Sequence, residues 1–401
     1  MASGRGRVSR EPSAKFQPYM KKHILLLLLL QFAAVCRADR DTTPGWLTGL
    51  LNQGLERVAG HNGEDSATDS LRYARNETRF ASVPRFGGYL VGQYQYFSQA
   101  GASGGPGFSA RYIRTYVSGT LLRDFSYYVQ MELKGKPGLR DYTISWQRWP
   151  ELRVTLGQTD RFFTFESPMS LWKVGGWDYS QMVNNLNGAG DYCGEPNQNA
   201  RDQGLILQGD VLPLGPKRLR RLRYTAAIYN GNGINQGDNN RRKDLVGNLQ
   251  VQLAQDLWLG VFGWKGTYTA DGITVGRNRW SAGLNYEHEG WTARAEYAHN
   301  TGHRISDYQS ATGLWAGTGR ADAWVVTAGV PLTAWLKGYL IYDAYRSQAT
   351  FSTMRATYNA ALSIQLHRNL LFKLHYAFIE DRPSPSDRYY SELAAQAYIR
   401  F

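Results

Sequence analysis

From about position 85 to the last residue, apolar and polar side chains alternate with a period of two. In the final segment Leu393, Ala395, Ala397, Ile399 and Phe401 share one face, while Glu392, Gln396, Tyr398 and Arg400 share the other. The same split sets Phe125, Tyr127, Val129, Met131 and Leu133 against Ser126, Tyr128, Gln130, Glu132 and Lys134. Further on, Leu370, Phe372, Leu374, Tyr376 and Phe378 oppose Lys373 and His375. A period of two is that of a β-strand with one dry and one wet face. It predicts sixteen strands, near 85–97, 109–122, 124–135, 140–149, 151–159, 201–212, 219–231 and 242–254, then 257–268, 276–289, 290–300, 320–331, 334–346, 352–367, 368–380 and 387–401.

The links alternate too. Short ones such as Arg123-Asp124, Trp149-Pro150, Glu289-Gly290 and His367-Arg368-Asn369 take turns with longer polar ones at 98–108, 160–200, 231–241, 269–275, 301–319 and 381–386. Short turns at one end and long loops at the other, with an even strand count, predict an all-β fold, a transmembrane antiparallel β-barrel. A charge on the lipid face costs about 2–4 kcal/mol near the midplane, so the polar set faces the lumen. Closure leaves no unpaired edge in hydrocarbon, and sixteen strands enclose a lumen wide enough for water.

The N-terminal part reads differently. In 39–84, Trp46, Leu47, Leu50, Leu51, Leu55 and Val58 recur at helical spacing, predicting a short periplasmic helix and a polar linker. Residues 1–38 read as an upstream extension before Met20 and a cleaved signal peptide. Lys21 and Lys22 precede the apolar run from Ile24, and small residues at Cys36 and Ala38 set a cleavage point before Asp39. The apolar run falls short of the roughly 20 residues that span a bilayer.

Composition narrows the function. After position 38 nothing is apolar enough for a membrane helix, yet Tyr occurs 26 times, as suits barrel walls and interfacial girdles. Cys193 alone remains of the two cysteines, so no intrachain disulfide and no cysteine-based metal site is expected. The formal charge of +13 includes seven Lys/Arg and one Glu in residues 1–38, leaving 39 basic and 32 acidic side chains. That excess tilts a pore toward anions and argues against a nucleic-acid binder.

A family resemblance covers most of the barrel. Its pieces are Phe108-Ser109-Ala110-Arg111-Tyr112-Ile113-Arg114, Glu132-Leu133-Lys134-Gly135, Leu139-Arg140-Asp141-Tyr142, Gly157-Gln158 and Phe165-Glu166-Ser167. Arg201-Asp202-Gln203-Gly204, Tyr229-Asn230-Gly231-Asn232-Gly233 and Lys243-Asp244-Leu245-Val246-Gly247 follow in order. Together they resemble the phosphate-selective porin O/P family of the bacterial outer membrane. The chain departs from that pattern at Thr159-Asp160-Arg161-Phe162-Phe163. The resemblance implies an outer-membrane channel for small anions such as phosphate, a homotrimer in outer-membrane lipid, and a terminal Phe401 read by the barrel-assembly machinery. It also implies a third loop folded into the lumen at its narrowest point.

The candidate residues follow from alternation and from that loop. Lumen-facing cations are Arg114, Lys134, Arg153, Arg223, Arg279, Arg294, Lys337, Arg355, Lys373 and Arg400, against the acids Glu132, Asp141, Glu287, Glu296, Asp343 and Glu392. Within 160–200, Arg161 and Lys173 are expected to line a constriction, with Phe162, Phe163, Phe165, Trp172 and Trp177 packing the loop on the wall. Rings of Arg and Lys replace part of an anion's hydration while leaving it mobile. Paired wall charges that merely hold water are the alternative. Catalysis has one arrangement to offer, His299 with Ser306 and Asp307, as a barrel phospholipase or protease would need. A structural or adhesive barrel is the third class. No cofactor or metal is implied.

Overall fold

The alternating strands close on themselves. The computed structural model describes residues 82–99, 106–188, 190–194, 200–214, 219–385 and 387–401. The expected signal peptide and the helix and linker of 39–84, up to residue 81, lie outside them. The strands are β1 (Arg85–Phe97), β2 (Gly107–Leu121), β3 (Phe125–Glu132), β4 (Gly138–Trp149), β5 (Leu152–Asp160) and β6 (Arg201–Leu214). β7 (Leu219–Tyr229), β8 (Asp244–Ala254), β9 (Leu257–Ala270), β10 (Ile273–His288) and β11 (Trp291–Thr301) follow. A two-stranded ladder, β12 (Tyr308–Gln309) with β13 (Leu314–Trp315), decorates the next loop. β14 (Arg320–Pro331), β15 (Leu336–Arg346), β16 (Met354–His367), β17 (Leu370–Asp381) and β18 (Tyr389–Arg400) complete the wall.

Each strand but β12 and β13 pairs antiparallel with its neighbours, and β1 pairs with β18 in the register Tyr89↔Arg400 to close a barrel of sixteen strands. The faces sort as expected. On β17, Phe372, Leu374, Tyr376 and Phe378 are exposed, whereas Leu371, Lys373, His375, Ala377 and Ile379 are buried. Leu205, Ile228, Leu249, Val261, Leu284, Val326, Leu340, Leu362 and Leu393 continue the exposed apolar set around the outside. An apolar face that runs all the way round a closed barrel requires a hydrocarbon solvent.

Three local features differ from the alternation. The link expected over 269–275 is the two-residue turn Asp271-Gly272, with φ of 53° and 75°. Positive φ at both positions matches the right-handed twist of the flanking strands, so β9 and β10 extend to meet it. β3 ends at Glu132, leaving Lys134 exposed in the following turn rather than on the lumen face. The third feature is a pair of β-bulges. The register slips at Val91/Gly92, leaving Arg111 of β2 as the extra residue, and at Gln130/Met131, leaving Arg140 of β4 extra.

Candidate functional site

The loop 161–200 joins β5 to β6 through the inside of the barrel. Phe163 meets Trp264 edge-on at 5.8 Å between ring centroids, and Phe165 meets Phe262 at 5.2 Å. A short helix α1 (Gln181–Leu186), capped by the Ser180 side chain accepting from Val183 N, buries Met182, Val183 and Leu186 and lies against β11, β14 and β15. Room for it comes from Ala298, Ala321 and Ala323 on the lumen face, all fully buried. On the opposite wall Leu171 and Val174 pack with Val91, Leu371 and Tyr398, Trp172 meets Tyr398, and Trp177 meets His375. The loop therefore crosses the lumen, and the aromatic packing expected for it is present.

Charged side chains of the wall hold the loop at both sides. Arg279 of β10 grips both Asp191 oxygens at 2.6 Å, donates to Leu186 O at 2.8 Å, and receives support from Asn300 Oδ1 at 2.7 Å. Burial would push the Asp191 carboxyl up, but the Arg279 guanidinium overrides this and holds it well below the usual carboxylate range. Across the lumen Lys373 donates its ammonium protons to the carbonyls of Leu171 (2.6 Å), Gly176 (2.9 Å) and Val174. Glu296 accepts from Phe165 N at 2.8 Å, and Asp343 accepts from Gln181 N at 2.7 Å. Within the loop Glu166 accepts from Ser180 N at 2.8 Å, and burial pushes its carboxyl above its ordinary value.

The loop's root is a buried ionic node. Arg161 pairs with Asp202 at 2.7 Å and Arg277 with Asp244 at 2.8 Å. The guanidinium carbons of Arg161, Arg277 and Arg279 lie 5.0, 5.1 and 4.8 Å from the Trp264 ring. Trp264 Nε1 donates to Asp244, and Gly231 N donates to Asp202. Three of the segments quoted above, 201–204, 229–233 and 243–247, thus converge on one node through Asp202, Gly231 and Asp244.

Cavities remain on both sides of the loop. One cavity lies between the loop and the β2–β6 wall and is lined by Arg111, Arg140 and Arg201 from the wall and by Asp178, Tyr179 and Asn184 from the loop. Arg111 pairs with Asp178 at 2.6 Å. Arg201 pairs with Asp160 at 2.5 Å and Asp141 at 3.1 Å. Arg140 stands 3.9 Å from Asp141 with its Nε unpartnered. Arg114 lies below the Tyr112 ring at 3.7 Å and pairs with Glu132 at 2.7 Å. A bulge adds one residue to a strand and re-aims its side chains, which is how Arg111 and Arg140 come to line this cavity beside Tyr112 and Asp141. A second cavity, on the β11–β18 side, is lined by Glu166, Asp343 and Glu392 together with Arg294, Arg355 and His375.

The expected site residues divide between these settings. Arg114 is buried in its pair with Glu132 and lines neither cavity, whereas Arg294 and Arg355 line the second. Arg294 pairs with Glu287 at 2.9 Å rather than with Glu296, and Arg355 donates to Tyr390 Oη at 2.9 Å. Arg279 is fully engaged in holding the loop. Arg223 pairs with Asp210 and stacks on Trp258 near the short-turn end. Arg153 is exposed at that same end, donating to Gln147 Oε1, and so does not abut the loop. Arg161, expected to line the constriction, is instead completely buried in its ion pair with Asp202, because the loop root folds into the wall. Lys173 is exposed on the loop. Lys337 donates to Thr292, and the Arg400 guanidinium covers Trp172 at 3.6 Å. Phe401 follows the last residue of β18.

The lumen-facing set drawn from alternation left out Arg111, Arg140, Arg201 and Arg277, although Arg277 shares the parity of Arg279. The first two are out of phase because of the bulges. The signal that carries them is the resemblance, whose quoted segments contain Arg111, Arg140 and Arg201. The one catalytic arrangement is not assembled. His299 stands on the outer face against Trp280, while Asp307 is engaged by Arg304 in the loop. Among the described residues no group of three metal-ligating side chains occurs.

No protein-family model and no curated protein sequence matches the chain. Solved structures do. An anion-selective porin from Comamonas acidovorans superposes with a TM-score of 0.59 at 12% identity, over 80% of this chain and 99% of that one. The outer-membrane channel DcaP of Acinetobacter baumannii gives 0.56 at 10% identity, over 80% and 97%. OmpF of Salmonella typhi, in complex with daunomycin, gives 0.54 at 10% identity, over 79% and 97%. At such identity the likeness is one of fold: this chain is a closed sixteen-stranded antiparallel barrel of the architecture seen in outer-membrane porins.

Proposed function

We propose that this protein is an outer-membrane porin, a water-filled channel for passive diffusion of small hydrophilic solutes, with a mild preference for anions and no turnover chemistry. The observation that carries the reading is the row Arg111, Arg140 and Arg201, set on one wall against the inward loop inside a barrel with an apolar exterior. Two of the three line the cavity because a bulge stands at each of them. A pore concentrates counter-ions through its summed field rather than through one contact. The Arg140 Nε, 3.9 Å from Asp141, makes no hydrogen bond, so its charge adds to the field at the cavity. Phosphate is, on this reading, one small anion among others. Cations engaged in the fold, Arg161, Arg277, Arg279 and Lys373, belong to the scaffold of the constriction and not to its filter. Anion selectivity in the Comamonas porin and the trimer form of a superposable Vibrio cholerae outer-membrane protein support the same reading, with a homotrimer as the assembly.

Planar-bilayer recording of the purified protein in a salt gradient tests it. The reversal potential should report anion preference, and Arg111→Gln, Arg140→Gln and Arg201→Gln together should move it toward cations. Channels whose triple variant keeps the wild-type potential would place the preference elsewhere, and a protein that conducts nothing would remove the pore reading altogether.

A further inference from the structure

The second cavity is lined by charged side chains that carry atoms without hydrogen-bond partners. Asp343 of β15 and Glu392 of β18 are 6% and 5% exposed, and each lines this cavity. Asp343 spends one oxygen on Gln181 N, and its Oδ1 has no hydrogen-bond partner. Glu392 Oε1 has none either. Two buried carboxylate oxygens without donors are costly unless something supplies the protons. On the same cavity Arg355 is 43% exposed at its side chain, binds Tyr390 through Nη2, and has its Nε 3.9 Å from Asp381, beyond hydrogen-bond range. Arg355 is also within electrostatic reach of both carboxylates.

We propose that this cavity is a binding station for small zwitterions carrying an ammonium beside a carboxylate, as α-amino acids do. The ammonium presents three donors, which suit Asp343 Oδ1 on one side of the cavity or Glu392 Oε1 on the other. The carboxylate meets the Arg355 guanidinium, whose planar array of donors suits it. Glu166 on the loop side adds to the field that orients the ammonium, and Arg294 to the field that orients the carboxylate. The site lies across the loop from the Arg111, Arg140 and Arg201 row, so simple anions and zwitterions take different sides of the same constriction. The inference rests on the pore reading and names a solute class for it.

The test is proteoliposome swelling at low solute concentration with four solutes of nearly equal size: alanine (zwitterion), lactamide (neutral), alaninamide (cation) and lactate (anion). With the wild-type protein alanine should enter about fivefold faster than lactamide, the ratio expected of one partly wet charge pair at each end. Asp343→Asn with Glu392→Gln should bring alanine down to the lactamide rate without slowing lactate. Arg355→Gln should slow alanine but not alaninamide. The lactamide rate and the shift in gel mobility on boiling verify that each variant is a folded, open barrel. The wild-type comparison needs no variant, and equal alanine and lactamide rates there overturn the proposal. Loss of alaninamide alone in the double variant also overturns it, in favour of a site for organic cations. Swelling in none of the four solutes overturns the pore reading itself, and this station with it.

Discussion

Releasing Arg279 should unseat the inward loop from one side of the barrel. Arg279→Met leaves the Asp191 carboxylate buried with only the Cys193 N–H still donating to it, at 2.9 Å, and removes the bonds to Leu186 O and Asn300. Both partners are fully buried at their side chains, so the remaining charge loses its ion pair and keeps the field of Arg277. Breaking such a pair costs about 3–5 kcal/mol. At about 1.4 kcal/mol per tenfold, the ratio of seated to unseated loop falls by roughly two to three orders of magnitude. The barrel wall is not at risk to the same degree, since β10 keeps its backbone ladders to β9 and β11. The Lys373 anchor at Leu171, Val174 and Gly176 is untouched, so the loop pivots on that side rather than leaving the lumen. Single-channel recording should therefore show a higher mean conductance and more open-channel noise in Arg279→Met. Adding Asp191→Asn removes the stranded charge while keeping an acceptor for Cys193 N, and should restore much of the quiet, narrow state. Wild-type conductance and noise in Arg279→Met, with no difference on adding Asp191→Asn, would refute the assignment of this pair as an anchor.

Three further outcomes are expected. Glu166 is held above its ordinary value of 4.5 by burial, so the seated loop binds its proton more tightly than an exposed one does. Seating is then strongest at low pH and weakens as pH rises from 4.5 through the raised value. Wild-type conductance should climb over that window and Glu166→Gln should flatten the profile; a wild-type profile already flat counts against the coupling. Gly157 has φ of 138°, and an added Cβ would lie 2.0 Å from Tyr142 O. Gly157→Ala should destabilise the β4–β5 pairing by about 1–3 kcal/mol, read as a lower urea midpoint for loss of the heat-modifiable form. Deleting Phe401 should lower the amount recovered in the outer-membrane fraction, and unaltered recovery would make the terminal aromatic dispensable.

Sequence alone determined what two solvents impose on a strand. Lipid outside and water inside force a period of two, so the sixteen wall strands, their antiparallel order and the sidedness of Phe372, Lys373 and Leu374 could be read directly. Loop length marked 160–200 as special for a similarly local reason. Tertiary structure decided which charges remain free. Arg161, Arg279 and Lys373 look alike in a list of basic residues, yet their partners, Asp202, Asp191 and the carbonyls near Val174, lie far along the chain and are chosen by the path of the inward loop. Arg111 and Arg140 show the complementary case: each bulge adds a residue and reverses the parity beyond it, so a period of two assigns them to the wrong side. Alternation reports a strand's faces only while the register is unbroken, and this lumen is built where it breaks.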